Sequence, residues 1–184
     1  YLGGAVGVGN YDAIRLVEDI PDTHNSPQPL MEFGIYDDGI LYDNLHKKLF
    51  YFYHDENRFD KLKMNGDTFG DFHSSEVTPN INKEKFSDIV NKAKKLIHDG
   101  DIFQVVLSRK FAFEHNGDNL TLYKTLRKLN PSPYMYHLKQ GSKTIIGASP
   151  EMLVRITDDK VETFPIAGTR KITDNEEKNK QLAD

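Results

Sequence analysis

The fold class is decided by residues 134–164, which read YMYHLKQGSKTIIGASPEMLVRITDDKVETF. Runs rich in β-branched and aromatic residues predict strands, and Gly141-Ser142 and Asp158-Asp159 are turn signals between them. Strands that are joined by a two-residue turn pair in antiparallel fashion. The stretch therefore predicts two β-hairpins that follow each other along the chain.

Two upstream segments predict helices. Residues 83–99 begin after Asn82, a suitable N-cap, and end at Gly100, a suitable C′ residue. Residues 118–129 form the second, which Asn130-Pro131 ends. The first carries an apolar stripe at helical spacing, made of Phe86, Ile89, Val90, Ala93, Leu96 and Ile97.

The remaining segments predict more strands than helices. Residues 102–115 (IFQVVLSRKFAFEH) predict one long strand, and residues 30–55 predict two strands with Asp38-Gly39 as a turn or bulge. Residues 1–18 predict a strand, a bend near Gly9-Asn10 and a short helix. Residues 55–82 are polar and predict a flexible connection. The expected fold class is α+β, mainly antiparallel strands with inserted helices.

Composition describes an ordinary globular chain. The 184 residues are 38 % hydrophobic and 28 % charged, with a net charge of −4, which argues against nucleic acid or an anionic membrane as the main partner. There is no cysteine, which fits a cytoplasmic location. The seven histidines show no HxxxH spacing, so no zinc site is predicted. Length alone predicts burial of about two-thirds of the unfolded surface.

The ends of the chain suggest an internal fragment. The sequence opens on Tyr1-Leu2-Gly3-Gly4 and closes in DNEEKNKQLAD, which predicts the first turns of a helix capped by Asp174. If further residues pack against this chain, it should expose a large apolar face by itself.

Four stretches could carry chemistry, and each also has a purely structural explanation. Gln104 interrupts an apolar run, where it could be a core amide or part of a half-exposed face. The prolines of NPSPYMYHL leave carbonyls for a ligand, or simply stop a helix.

Glu151 follows Ser149-Pro150 at a break between strands, where it could be a general acid or a surface carboxylate. Gly-Thr-Arg in FPIAGTRKIT, residues 164–173, could bind an anion or only turn the chain.

Taken in this order, DIFQVVLSR, NPSPYMYHL, GASPEMLVR and PIAGTR strongly resemble the chorismate-utilising enzyme family, most closely its anthranilate-forming large subunits. The opening GGAVGVGNYDAIRLVEDIP resembles that branch's GGxxGYxxYDxxRxxExLP segment, with Val8 where a tyrosine is usual. The resemblance covers nearly the whole chain, most securely residues 83–172. It implies that residues 1–184 are an internal fragment of one larger chorismate-binding domain with the α+β fold of that family.

The resemblance implies an activity. The branch converts chorismate and ammonia to anthranilate and pyruvate in tryptophan biosynthesis, with feedback inhibition by tryptophan. Water-activating branches carry a lysine where this chain has Gln104, an amide that cannot deprotonate water at neutral pH. Aminodeoxychorismate synthases commonly carry a nucleophilic lysine where this chain has Ala167. Both positions favour the anthranilate-forming branch.

Roles of individual residues also follow from the resemblance. Glu151 matches the acid that protonates the departing C4 hydroxyl, and Gln104 matches the branch-determining catalytic position. Gly168 and Thr169 match the pair that binds chorismate. Pro133, Tyr134 and Met135 match the PYM element of the feedback tryptophan site. No role follows for Arg170.

The family implies Mg²⁺, with glutamate ligands expected beyond the C-terminal end of this chain, and a glutamine amidotransferase subunit that supplies ammonia. No metal ligand is expected within residues 1–184, so this chain alone is predicted to be inactive. The alternatives are component I of an aminodeoxychorismate synthase, a non-catalytic tryptophan-binding regulatory module, and an α+β domain whose motifs are only turns.

Overall fold

The structure is a computed structural model that describes residues 3–21, 26–62, 69–166 and 171–183, with residues 182 and 183 described by their backbone alone. The predicted substrate-binding Gly168 and Thr169, together with Ala167 and Arg170, lie outside the described residues. Within those ranges, none of the helices combines the length and the hydropathy that a membrane-spanning helix needs.

Twelve short strands occur in the part of the chain that the structure describes. They are β1 (Gly4–Gly9), β2 (Met31–Tyr36), β3 (Asp38–Asp43), β4 (Lys48–Tyr53), β5 (Phe72–Ser74), β6 (Thr78–Pro79), β7 (Phe111–Ala112), β8 (His115–Gly117), β9 (Tyr134–Gln140), β10 (Lys143–Ser149), β11 (Met152–Thr157) and β12 (Lys160–Phe164). They pair two at a time, as β1–β2, β3–β4, β5–β8, β6–β7, β9–β10 and β11–β12. The α+β class and both predicted hairpins of residues 134–164 are confirmed.

Three α-helices and two 3₁₀ helices accompany these strands within the described ranges. They are α1 (Lys83–His98), α2 (Asn119–Leu129), α3 (Glu176–Ala183), and 3₁₀ helices at Tyr11–Leu16 and Phe59–Lys61. All three predicted α-helices and the short helix after residue 10 are therefore confirmed.

Side chains cap the helices at their N-termini. Asn82 accepts a hydrogen bond from the backbone N–H of Lys85 at 2.9 Å, and Asp118 accepts one from the N–H of Leu120 at 2.9 Å. Both caps follow from the preference of Asn and Asp for this position. The cap predicted for α3 was wrong by one residue, because Asn175, not Asp174, accepts from the N–H of Lys178 at 2.9 Å.

The described residues belong to two compact units. One unit consists of Tyr1–Thr68 and His137–Ile145, and the other consists of Phe69–Tyr136 and Ile146–Asp184. Strands β9 and β10 therefore contribute residues to both units.

In the first unit, β3 and β4 occupy a segment where the sequence predicted a single strand. The break between them comes from Asp43, whose Oδ1 accepts from the N–H groups of Leu45 at 2.8 Å and His46 at 3.1 Å. Aspartate side chains stabilise turns in this way by replacing a backbone acceptor. Residues 30–55 thus form three strands, not two.

An ionic network ties residues 56–62 to the β3–β4 hairpin. Arg58 donates from Nε to Asp38 Oδ2 at 2.9 Å, and its Nη2 forms an ion pair with Asp38 Oδ1. Tyr51 donates its hydroxyl hydrogen to Asp38 at 2.7 Å and accepts from the N–H of Arg58 at 3.0 Å. The Phe59 ring lies 5.5 Å from that of Tyr51. These contacts join residues 7 to 20 positions apart in the chain.

In the second unit, the later part of the predicted flexible connection runs beside residues 109–118. Strand β5 pairs with β8, and β6 pairs with β7. Arg109 extends this alignment by donating from Nε to the carbonyl of Ile81 at 2.8 Å. Whether residues 55–82 move, and whether residues 1–184 are part of one larger domain, stay predictions.

The single long strand predicted for residues 102–115 was wrong. Only β7 and the first residue of β8 are strand there, and residues 102–110 form no regular element. Phe103 is 99 % exposed, although the sequence pattern placed it in an apolar strand. A strand exists only where another strand pairs with it, and the described residues offer residues 102–110 no such partner.

Few apolar side chains are buried in the described ranges. The buried hydrophobic residues are Ala93 and Met152, with exposed fractions of 8 % and 9 %. Many large apolar side chains are exposed in the same ranges, among them Phe103, Leu153 and Ile172. The burial expected from length alone was too high, because a two-stranded sheet with no third strand covers little surface.

Candidate functional site

The β11–β12 hairpin brings the predicted acid to the edge of the predicted substrate-binding segment. Met152 and Phe164 are paired at the open end of the hairpin. Just beyond this pair, the backbone N–H of Ile166 donates to Glu151 Oε1 at 3.3 Å. Ile166 immediately precedes residues 167–170, so the GASPE and PIAGT motifs meet at this point of the chain.

Glu151 lies in a short connection between β10 and β11. The hydroxyl of Ser149 donates to the backbone carbonyl of Glu151 at 3.2 Å, which fixes the connection around Pro150. The side chain is exposed. With one carboxyl oxygen held by the N–H of Ile166, the other oxygen can transfer a proton to a ligand at the hairpin base.

The predicted tryptophan-binding residues lie at the start of β9. Pro133 directly precedes the strand, Tyr134 is its first residue and is exposed, and Met135 is half-buried. Strand β9 pairs with β10, whose last residue is Ser149. Strand pairing thus places the PYM element and the connection that carries Glu151 at the same end of one sheet.

Gln104 is not brought to this site by any contact among the described residues. Its side chain is exposed, within the stretch that forms no strand, and makes no hydrogen bond to Glu151. The explanation of Gln104 as a satisfied core amide is therefore wrong. Its catalytic role stays a prediction that rests on the resemblance.

An ion-pair cluster lies across the hairpin, and the sequence reasoning did not foresee it. The guanidinium of Arg155 donates twice to Glu162 Oε2, at 3.0 and 2.8 Å, and Lys160 lies 2.6 Å from Glu162 Oε1. Hydrogen bonds from Lys160 and then Arg155 hold the pKa of the Glu162 carboxyl below its ordinary value. Hydrogen bonding to Glu162 raises the pKa of Arg155. Alternating charges at cross-strand positions were the available signal.

The described residues do not fit a Mg²⁺ site. Within those ranges no group of three or more His, Asp or Glu side chains is placed to hold a metal ion. Mg²⁺ needs several hard oxygen ligands in near-octahedral order.

A cavity of about 380 Å³ in the first unit was also not foreseen. Its walls come from β1, β2, β3, β4 and the second half of β9. Apolar side chains form much of the wall, and two charged side chains also line it: Val6, Ile40, Leu41, Phe52 and Leu138, with Asp38 and Lys139.

Comparison with known proteins places the chain in a family. Residues 1–184 match the family described as chorismate binding enzyme. "Anthranilate synthase component 1" of Methanothermobacter marburgensis is 40 % identical over 186 residues, covering 100 % of this chain and 40 % of that protein. The protein of the same name from Acetivibrio thermocellus is 39 % identical, covering 99 % of this chain and 42 % of that protein.

A solved structure has the same fold. The crystal structure of anthranilate synthase component I from Streptococcus pneumoniae TIGR4 aligns with a TM-score of 0.76 at 31 % identity, covering 100 % of this chain and 44 % of that one. The chain thus spans about two-fifths of the length of these relatives. The match of the whole chain confirms the resemblance seen in its motifs, and the chain belongs to the chorismate binding enzyme family.

Proposed function

We propose that the whole protein is the large subunit of an anthranilate synthase, which converts chorismate and ammonia to anthranilate, pyruvate and water. The observation that carries this proposal is sequence identity. Relatives named anthranilate synthase component 1 are 38 to 40 % identical to this chain along its whole length. The activity is proposed for the whole protein because this chain spans less than half of those relatives.

The chain's own residues suggest how the first step proceeds. Glu151 donates its proton to the C4 hydroxyl of chorismate, which departs as water while ammonia adds at C2. The proton that the new ammonium group gives up restores Glu151, so the step is balanced. The hydrogen bond from Ile166 to Oε1 supports this role, because it leaves Oε2 to carry the proton.

Two positions support ammonia as the nucleophile. Gln104 stands where a lysine would activate water, and an amide cannot act as that base. Ala167 stands where aminodeoxychorismate synthases commonly have a nucleophilic lysine, and its methyl group cannot attack the ring. Ammonia needs no base to be nucleophilic, so both residues suit its direct addition.

Partner, cofactor and regulation belong to the same proposal. The word "component" in the relatives' names supports a second subunit, which we propose to be a glutamine amidotransferase. We also propose Mg²⁺ held by residues other than those described, a cytoplasmic location, chorismate contacts from Gly168 and Thr169, and feedback inhibition by tryptophan bound near Pro133, Tyr134 and Met135.

The test is anthranilate fluorescence from the full-length protein with chorismate, Mg²⁺ and ammonium, with and without tryptophan. We expect a signal that tryptophan suppresses. Glu151→Gln should lower the rate about a hundredfold, the usual loss on removing a general acid. Glu76→Gln, also an exposed glutamate, is the matched control and should leave the rate unchanged.

Other outcomes would separate the alternatives. An aminated chorismate without anthranilate would favour an aminodeoxychorismate synthase. Tryptophan binding without chorismate turnover would favour a regulatory module. Anthranilate production by residues 1–184 alone would contradict the prediction that they are inactive.

A further inference from the structure

The contact between Tyr136 on β9 and Gly147 on β10 has no role in the function proposed so far. The Tyr136 ring lies where a side chain at position 147 would be, since a Cβ built on Gly147 would overlap the ring and lie 2.6 Å from its Cε2 atom. Tyr136 is 47 % exposed, so burial alone does not hold the ring there. Only glycine at position 147 permits this contact.

The same arrangement occurs once among the described residues of the first unit. At Gly7, which is paired with Phe33 across β1–β2, the atoms nearest to an added Cβ belong to the backbone of Glu32 and Phe33, so that pair is of a different kind. Gly39 is paired with Phe52 across β3–β4, and a Cβ there would lie 2.7 Å from Cζ. An aromatic ring placed over a glycine of the neighbouring strand fixes the register of the pair.

Tyr136 and Gly147 are the corresponding pair of β9–β10. The two-residue turn at Gly141-Ser142 places position 136 opposite position 147, which agrees with the ring contact. Side chains two residues apart on a strand share a face, so Tyr134 of the PYM element lies on the face of Tyr136.

A series of short contacts leads from this pair to the proposed acid. Two residues after Gly147, the hydroxyl of Ser149 donates to the carbonyl of Glu151 at 3.2 Å. The Glu151 carboxyl in turn accepts from the N–H of Ile166 at 3.3 Å. Any slip of β10 against β9 would therefore displace Ser149 and, through it, Glu151.

We propose that Tyr136 is a positioning residue, whose ring over Gly147 holds β10 in the register that places Glu151 for proton transfer. The inference rests on the proposed function, because it takes Glu151 as the proton donor. Tyr136 touches neither substrate nor reacting atoms in this scheme. Its effect on the rate passes through Gly147, Ser149 and the short connection to Glu151.

The test compares four variants of the full-length protein: Gly147→Ala, Tyr136→Ala, the double variant and Tyr136→Phe. We expect each alanine variant to lower kcat about tenfold, because a displaced catalytic group loses rate steeply with distance. The KM for chorismate should change less than about twofold, since the contact does not bind substrate. Tyr136→Phe keeps the ring and should keep the rate.

The double variant is the decisive measurement. Alanine at position 147 expels the ring, so both single variants remove the same contact, and the double variant should be no slower than either. Gly39→Ala, the matched change in the first unit, should leave kcat per folded molecule unchanged. Losses that multiply in the double variant, or a full kcat in Tyr136→Ala, would overturn the inference.

Hydrogen exchange in β10 supplies a readout that does not need activity. Gly147→Ala and Tyr136→Ala should speed the exchange of residues 143–149 equally, and Tyr136→Phe should not. Unchanged exchange in both alanine variants would overturn the inference even in an active enzyme. A wild-type protein that makes no anthranilate, yet shows this exchange pattern, would instead contradict the proposed function and the part of the inference that concerns Glu151.

Discussion

The hairpins β3–β4 and β11–β12 have similar strands but differ in what holds them. In β3–β4 all six residues of each strand are paired without interruption, and the Arg58 network adds a third segment. In β11–β12 the register shifts between Met152 and Arg155, and the main side-chain contacts are ion pairs within the hairpin itself.

The exposed apolar residues make the difference clearer. Leu153, beside the register shift, is 88 % exposed, and Ile156 and Val161 also face outward. A hairpin of this kind is marginal by itself and needs another surface to cover it. Strands β3 and β4 also expose apolar side chains, Leu49 among them at 62 %. The two hairpins therefore differ in the unbroken register of β3–β4 and in the segment that Arg58 adds to it, and β11–β12, which carries the proposed acid at its base, has neither.

The largest expected effect comes from filling the space that β3–β4 leaves for Phe52. Gly39→Ala would place a Cβ 2.7 Å from Cζ of that ring and should lower the free energy of unfolding of the first unit by about 2 kcal/mol. Gly9→Ala, where a Cβ meets nothing within 4 Å, is the control and should change it by less than about 0.5 kcal/mol. Urea unfolding followed by circular dichroism measures both, and equal effects would contradict the packing argument.

The second prediction compares the removal of two arginine side chains, Arg58 beside β3–β4 and Arg155 within β11–β12. Arg58→Gln should speed hydrogen exchange of residues 56–62, because Arg58 links a separate segment to β3–β4. Arg155→Gln should leave exchange in β11–β12 almost unchanged. Exposed ion pairs contribute little to stability, and the backbone hydrogen bonds between β11 and β12 do not depend on this one. If Arg155→Gln speeded exchange in β11–β12 more than Arg58→Gln speeded exchange in residues 56–62, this prediction would be wrong.

The third prediction concerns pH. Hydrogen bonds from Arg58 and then Tyr51 lower the pKa of the Asp38 carboxyl from its ordinary value of 3.8. A lowered folded-state pKa means that the stabilisation is present above about pH 4 and is lost as pH falls through the folded-state pKa. NMR shifts of the Tyr51 ring should therefore be constant from pH 5 to 8 and change below pH 4. In Asp38→Asn that acid transition should be absent, and its persistence there would assign it to another group.

The smallest effect is expected at the two turns. Lys47 has φ of 54° and Asp158 has φ of 52°, both in the left-handed region. Lys47→Gly should raise the free energy of unfolding by about 0.5 kcal/mol, since the relief of strain exceeds the added chain entropy. Asp158→Gly should have an effect near zero, because aspartate tolerates this conformation. Thermal unfolding of both variants measures the difference, and a larger gain at Asp158 would contradict it.

Local parts of the fold were predictable because their signals are contiguous. The caps at Asn82 and Asp118, the stop at Asn130-Pro131 and the two-residue turns each depend on neighbours within a few positions. The same reasoning failed for residues 102–110, where an apolar run resembled a strand but has no pairing partner in the described ranges. Periodicity shows which residues could share a face and cannot show whether a second strand is present.

The candidate site was predictable as a set of residues and not as an arrangement. The motifs around Gln104, Pro133–Met135 and Glu151 identified the family without any coordinates. The contact of Glu151 with Ile166 and the ring of Tyr136 over Gly147 carry no sequence signal, because glycine and tyrosine occur in strands for many reasons. Gln104, predicted to be catalytic, is exposed and makes no contact with Glu151 among the described residues.

The sequence by itself determined the helices, the tight turns and the family, since each depends on residue types at fixed short spacing. Tertiary structure alone decided which distant strands pair, which aromatic ring covers which glycine, and which segment Arg58 holds. These contacts join positions up to 45 residues apart, and their formation depends on loop closure and on the availability of a partner. The pattern of apolar residues in a segment indicates that it can form a strand. Which other segment it pairs with depends on the folded chain.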